Sequence, residues 1–187
     1  MSFKRAFMGA SVLGTVLACG ATAFAQDEVS TPKTEIGLGY SGIHVSASDT
    51  VYQRSGNGGF GYLEYNVNKV VGVVADFGGY ANTGKDGRLF TYLFGPRFNW
   101  RHSRLNPYVQ FLFGGAYLWN NPQYSATQNA FATAAGGGVD YRLSNHIAIK
   151  PLQVEYVTSQ FSGTNGIGSH QNDVRYSAGV VFEMGSK

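Results

Sequence analysis

Ionisable and amide side chains recur at alternate positions of several segments, each set between apolar residues. They are Asp76, Arg97, Gln110, Asp140, Arg142, Gln153, Glu155, Arg175 and Glu183. If a fold brought them into one enclosed space, they could neutralise one another through salt bridges and hydrogen bonds. The same groups could instead line a narrow path for ions. Both roles require elements that turn these side chains to a common interior.

The segments that carry these residues alternate between two kinds of side chain, which is the period of a β-strand. In 89–100 (LFTYLFGPRFNW) and 107–119 (PYVQFLFGGAYLW), one face is bulky and aromatic and the other is small or polar. The same alternation marks four further segments, at 71–78, 131–142, 147–157 and 174–184. Two early segments, 35–45 and 59–67, alternate less regularly. The count predicts about eight strands and an all-β fold.

The bulky face decides what surrounds the strands. Its aromatic members in the two clearest segments are Phe90, Tyr92, Phe94, Phe98, Trp100, Phe111, Phe113, Tyr117 and Trp119. A barrel of eight strands has an interior that side chains just fill, so these rings would overfill it. Charged residues make up only 13% of the chain, which is low for a protein with a water-exposed surface. We predict an eight-stranded antiparallel up-and-down transmembrane β-barrel, and a soluble ligand-carrying barrel is the alternative.

Residues near the predicted strand ends suit the boundary between lipid and water. Tyr40, Tyr62, Tyr65, Trp100 and Trp119 are expected to form an aromatic girdle there. Lys150 falls on the apolar face of its segment. We expect it near a rim, with its ammonium group reaching water.

The first residues have the pattern of a secretion signal. Lys4 and Arg5 precede an apolar run at 6–18, and Ala23-Phe24-Ala25 forms a small-x-small cleavage site. The pattern predicts a signal peptide at 1–25 and a barrel domain at 26–187. Cys19, the only cysteine, leaves lipidation as an alternative. The net charge of +3 includes two charges of this leader, so no nucleic-acid partner is expected.

The connections between the predicted strands alternate in length. Short ones fall at 66–69, 101–106 and 143–146. Longer ones, rich in Gly, Asn and Ser, fall at 46–58, 80–88, 120–128 and 160–172. Outer-membrane barrels have short periplasmic turns and long extracellular loops. We therefore expect both termini in the periplasm and four loops outside the cell.

Three segments resemble strands of the OmpA-type family of small outer-membrane barrels: 92–98 (YLFGPRF), 134–140 (AAGGGVD) and 175–182 (RYSAGVVF). The resemblance covers the mature chain. It implies surrounding membrane lipid and lipopolysaccharide, and insertion by the barrel-assembly machinery. Ser177, Gly179 and Phe182 match the family's last-strand assembly signal, whereas Met184 stands where an aromatic residue is usual.

Three functions are open at this point. A monomeric barrel with a filled lumen and a structural or adhesive role is the first, and a narrow ion or solute pore is the second. A lipid A-modifying enzyme is the third, because this chain resembles in size some small outer-membrane barrels that modify lipid A. Its candidate pairs are His102 with Ser103 and Ser144 with His146, besides His170 in a long loop. The histidines are scattered and the mature chain has no cysteine, so we expect no metal and no cofactor.

Overall fold

The chain forms a closed barrel of eight antiparallel strands, which confirms the predicted fold class. The computed structural model describes residues 31–46, 54–81, 88–119, 128–161 and 169–186. The strands are β1 (Pro32–Ser46), β2 (Arg54–Asn66), β3 (Val71–Ala81), β4 (Arg88–Asn99), β5 (Leu105–Trp119), β6 (Gln128–Arg142), β7 (Ile147–Phe161) and β8 (Ser169–Ser186). Each strand pairs with its neighbour in sequence, and β8 closes the barrel on β1. Among the described residues, no helix has the length and apolar character to cross a bilayer.

Alternation along the strands separates an apolar exterior from a polar interior. Buried and exposed positions alternate strictly over most of β4, where Leu93 and Arg97 point inward and Phe94 points outward. On β5, Phe111 and Phe113 are 55% and 57% exposed. The structure places the aromatic face on the outer surface, although the side chain of Trp119 lies outside the described residues.

The three short connections are tight turns at one end of the barrel. They span 67–70, 100–104 and 143–146. Backbone hydrogen bonds close each turn, among them His102 N to Leu105 O at 2.8 Å. Ser103 adopts a φ of 46° in the middle turn. The connections at 47–53, 82–87, 120–127 and 162–168 join strand ends at the opposite end, and they lie outside the described residues.

Several strands are longer than the side-chain pattern indicated. β2 begins at Arg54 rather than at 59, and β8 begins at Ser169 within the predicted last loop. Sheet pairing depends on backbone groups. The hydrogen-bond ladder therefore continues through stretches rich in glycine, serine and asparagine, which show no alternation of apolar side chains. The pattern therefore predicts the part of a strand that meets lipid better than its full length.

The expected position of Lys150 at a lipid-facing rim is wrong. Its side chain is 1% exposed and points into the barrel. Between Lys150 and Gln153, β7 advances three residues while β8 advances two, from Gly179 to Ser177. The extra residue is a β-bulge, in which Pro151 and Leu152 both face outward. Counting every second residue across the bulge assigned Lys150 to the wrong face.

The placement of Tyr62 in an interfacial girdle is also wrong. Tyr62 is 3% exposed and lies inside the barrel, whereas its neighbours Leu63 and Tyr65 point outward. Its ring occupies the space above Gly37 of β1, where a β-carbon would come within 2.0 Å of the ring. β2 contains several glycines, whose lack of a side chain leaves no difference between its two faces. The sequence therefore could not show which of its residues point inward.

Deleting Pro151 tests the bulge. Removal of one residue leaves Lys150 and Gln153 two apart, both inward, in a regular ladder with β8. We expect this variant to fold and to retain heat-modifiable migration on gels of the membrane fraction. Deletion of Val154, in the regular part of β7, is the matched control and should abolish folding because it turns one half of the strand inside out. Equal loss of the folded band in both variants would contradict the bulge.

Candidate functional site in the barrel lumen

Arg97 of β4 stands at the centre of the lumen. Its guanidinium carbon lies 4.4 Å from the ring centroid of Tyr62 and 4.4 Å from that of Tyr108. Its Nη1 donates to Glu64 Oε2 at 2.6 Å and its Nε donates to Gln110 Oε1 at 2.8 Å. Cation–π contact and charge-assisted hydrogen bonds from Nη1 and Nε thus replace much of the hydration of this fully buried cation.

Glu155 of β7 joins the strands on the other side. Its Oε1 accepts from Gln110 Nε2 at 2.7 Å, and its Oε2 accepts from Gln153 Nε2 at 2.6 Å. Arg175 donates to the same Oε2 from Nε at 2.7 Å. Arg175 Nη1 also reaches Asp76 Oδ1 of β3 at 2.7 Å. One carboxylate therefore connects β5, β7 and β8, and through Arg175 it reaches β3.

Lys150 forms a branch of the same network. Its Nζ lies 2.8 Å from Asp140 Oδ1 and donates to the hydroxyl of Tyr108. That hydroxyl donates in turn to Gln153 Oε1 at 2.6 Å. The bulge of β7 is what brings the ammonium group to this position. We use "lumen network" for Glu64, Asp76, Arg97, Asn99, Tyr108, Gln110, Asp140, Lys150, Gln153, Glu155 and Arg175.

Two separate ion pairs lie toward the short-turn end. Arg101 Nη2 bonds to Glu35 Oε1 at 2.6 Å, and Asn66 Nδ2 donates to the same oxygen at 2.9 Å. Arg142 Nε bonds to Glu183 Oε2 at 2.8 Å. These pairs surround the mouth of the lumen and are reached by water more easily than the lumen network, since Arg142 is partly exposed.

The arrangement holds charge without offering a reactive centre. The lumen network contains four carboxylates and three cations, and its charged members are almost completely buried. Each cation contacts a carboxylate within 2.8 Å. The described residues include no group of His, Cys, Asp and Glu side chains that could hold a metal ion. Stable pairing is the chemistry that this geometry supports.

The structure brings seven of the nine polar residues singled out in the sequence into the lumen network, and it places Arg142 and Glu183 at the mouth. Sequence reasoning missed part of the site. The missed residues are Glu35, Tyr62, Glu64, Asn66, Asn99, Arg101, Tyr108 and Lys150. A signal existed for Asn99 and Tyr108, because they share the faces of Arg97 and Gln110. For Glu64, the irregular alternation of β2 removed that signal.

Neither predicted Ser–His pair makes a nucleophile–base contact. His102 Nδ1 lies 3.4 Å from the carbonyl of Trp100, and Ser144 Oγ accepts from the backbone nitrogen of His146 at 3.4 Å. The side chain of His170 lies outside the described residues. The His44 ring does contact Ser55 Oγ, at 3.0 Å, on the exposed surface. A catalytic triad would also need a group that orients the histidine, and the hydrogen bonds of the described residues give His44 none.

Removing Glu155 tests how far the barrel depends on its central carboxylate. Glu155→Ala leaves Arg175 with one carboxylate partner and removes the acceptor of the Gln110 and Gln153 amides. We therefore expect a loss of about 3–5 kcal/mol in unfolding free energy. Urea unfolding in phospholipid vesicles, followed by tryptophan fluorescence, measures it. Glu183→Ala is the control, and its loss should be smaller because water can solvate Arg142 at the mouth. Equal losses of unfolding free energy in the two variants would show that Glu155 contributes no more to stability than an ion pair at the mouth.

Comparisons with known proteins agree with this geometry. The model of the outer membrane protein beta-barrel domain matches residues 11–182. No curated protein matches the sequence. Among solved structures, Neisserial surface protein A (NspA) is 13% identical with a TM-score of 0.66, over 81% of this chain and 97% of that one.

Another similar structure is Ail, the attachment invasion locus protein of Yersinia pestis. It is 16% identical with a TM-score of 0.56, over 81% of this chain and 97% of that one. A structure of Ail with the heparin analogue sucrose octasulfate has 14% identity and a TM-score of 0.51, over 80% and 96%. These likenesses show a shared fold. With the family match over most of its length, the chain belongs to the outer membrane protein beta-barrel domain family.

Proposed function

We propose that this protein is an outer-membrane barrel that acts through its surface, with a lumen closed by its own side chains. One observation carries the proposal: the lumen network crosses the barrel as a continuous set of hydrogen bonds from Glu64 through Arg97 and Gln110 to Glu155, Arg175 and Asp76. An interior occupied in this way is a scaffold, and it leaves the two ends of the barrel for interactions.

The same network argues against the pore as the principal function. A permeating ion would have to separate pairs such as Arg97–Glu64 and Arg175–Asp76, which are 0–1% exposed. Breaking one buried pair costs about 3–5 kcal/mol. No enzymatic function is proposed, since neither predicted Ser–His pair forms a contact suited to catalysis.

The longer connections are the best candidates for specific contacts. They join the strand ends opposite the short turns, at the end that faces outward in outer-membrane barrels. Loops on a rigid scaffold commonly carry binding. The Ail structure with a heparin analogue makes a sulfated polymer a suitable first probe. This supports an adhesive role in which the strands fix the spacing of four loops.

Export and assembly complete the proposal. Residues 1–25 would direct secretion, and a mature chain beginning at Gln26 is tested by the intact mass of protein from outer membranes. The last strand would be read by the barrel-assembly machinery through Ser177, Gly179 and Phe182. Gly179 also lies close to the backbone of β1 in the closed barrel, where a β-carbon would be 2.2 Å from the Leu38 carbonyl oxygen. A Gly179→Val variant should insert poorly, which a reduced heat-modifiable fraction would reveal.

Planar-bilayer recordings test the closed lumen. We expect the purified protein to give no sustained single-channel current, because paired side chains fill the interior. Arg97→Ala should be less stable and should still conduct little, since removal of one side chain leaves the other parts of the network in place. A stable current from the unaltered protein would favour the pore instead.

Loop replacement tests the surface role. Bacteria that display the protein should bind immobilised heparin or extracellular matrix more than cells without it. Replacing one long connection, such as 120–127, by a Gly-Ser segment of equal length should lower binding several-fold. The matched control replaces the short turn 143–146, and heat-modifiable migration checks folding in both. Adhesion that is equal with and without the protein would exclude this role.

A further inference from the structure

The short-turn end of the barrel has an unusual distribution of charge. Lys33, Lys69 and Arg104 are exposed there. The carboxylates at the same end, Glu35 and Glu183, are buried and paired with arginines of the mouth. Among the described residues of this end, the exposed charges are therefore all positive. We use "short-turn rim" for Lys33 together with the turns 67–70, 100–104 and 143–146.

Exposed apolar side chains stand beside these cations. Val67 and Val70 flank Lys69, and Leu105 follows Arg104. Leu143 begins the third turn and is 56% exposed. An apolar group next to a cation suits a bilayer surface, where the first meets the acyl boundary and the second meets phosphate. A carbohydrate polymer such as the cell wall offers charge but no such apolar layer, so the rim fits lipid better.

The rim is also held in shape. The Asn99 backbone nitrogen donates to the Val70 carbonyl at 2.7 Å, and that of Arg142 donates to the Arg104 carbonyl at 2.8 Å. The backbone nitrogen of Glu183 completes the series with the His146 carbonyl at 2.8 Å. Each turn is thus tied to the next hairpin. The backbone that carries Lys69 and Arg104 is thus ordered before binding, which lowers the entropy lost when these residues contact a ligand.

We propose that the short-turn rim is a binding surface for anionic phospholipid headgroups of the leaflet that it contacts. Lys33, Lys69 and Arg104 would each meet a phosphate, while Val67, Val70, Leu105 and Leu143 rest at the acyl boundary. A cation near an anionic membrane surface contributes about fivefold in affinity. Three of them together would favour phosphatidylglycerol over a zwitterionic lipid by about 100-fold.

Lipid retention measured by native mass spectrometry tests this proposal. The purified full-length barrel is titrated with phosphatidylglycerol and with phosphatidylcholine of the same acyl chains. In the variant Lys33→Gln/Lys69→Gln/Arg104→Gln, the ratio of phosphatidylglycerol affinity to phosphatidylcholine affinity should fall at least tenfold. The matched control, Arg54→Gln/Lys85→Gln/Arg88→Gln, removes three positive charges from the first residue of β2, the connection 82–87 and the first residue of β4, and it should keep the preference. Heat-modifiable migration confirms that both variants fold.

Two further experiments distinguish binding of a lipid headgroup from binding of free phosphate and of the cell wall. Inorganic phosphate at constant ionic strength should not displace the lipid, because the apolar contacts require acyl chains. Sedimentation with purified peptidoglycan sacculi should not distinguish the triple variant from the unaltered protein. The proposal is overturned if the triple variant keeps its lipid preference, if the control loses it equally, or if sacculi alone detect the change.

Discussion

A charge in the interior of a narrow membrane barrel must be paired, because neither lipid nor bulk water can solvate it there. Arg97, Lys150 and Arg175 satisfy this constraint through carboxylates contributed by other strands. Two of these pairs join strands that are not neighbours, because Arg97 connects β4 to β2 and Arg175 connects β8 to β3, and they therefore also fix the cross-section of the barrel. Glu155 is central, because its two oxygens serve three donors and so make the positions of Gln110, Gln153 and Arg175 mutually dependent.

That interior has consequences for the exterior. Polar groups occupy the lumen, so the bulky rings are left for the outer surface, where lipid accepts them. The strands must hydrogen-bond on both sides, because an open edge is not tolerated in hydrocarbon, and β8 closes on β1 for this reason. The bulge at Pro151 is a local adjustment to the same requirement, since it brings Lys150 to Asp140 without disturbing the outward side chains beyond it.

The sequence predicted the barrel because alternation in segments such as 89–100 depends on side-chain type, which is directly readable. It predicted a polar interior from the parity of Arg97 and Arg175. It could not place Lys150, because a bulge shifts the alternation of inward and outward residues without a sign in the side chains. It could not place Tyr62, because the glycines of β2 leave the two faces of that strand alike. It also could not reveal partners. The contact of Arg97 with the rings of both Tyr62 and Tyr108 depends on the register of β2, β4 and β5, which is fixed only when the barrel closes.

The proposed function leaves interactions to the two ends of the barrel, and the structure of the two ends differs. At the short-turn end, backbone hydrogen bonds tie each turn to the next hairpin and so fix the backbone that carries Lys69 and Arg104. At the other end, the strands continue past the apolar belt into polar residues, as in the pairing of Ser55 with His44 and Asn57 with Gly42. A rigid rim suits a uniform surface such as a bilayer, whereas connections of variable sequence suit individual partners. The lumen network supports both by keeping the strand ends at constant spacing.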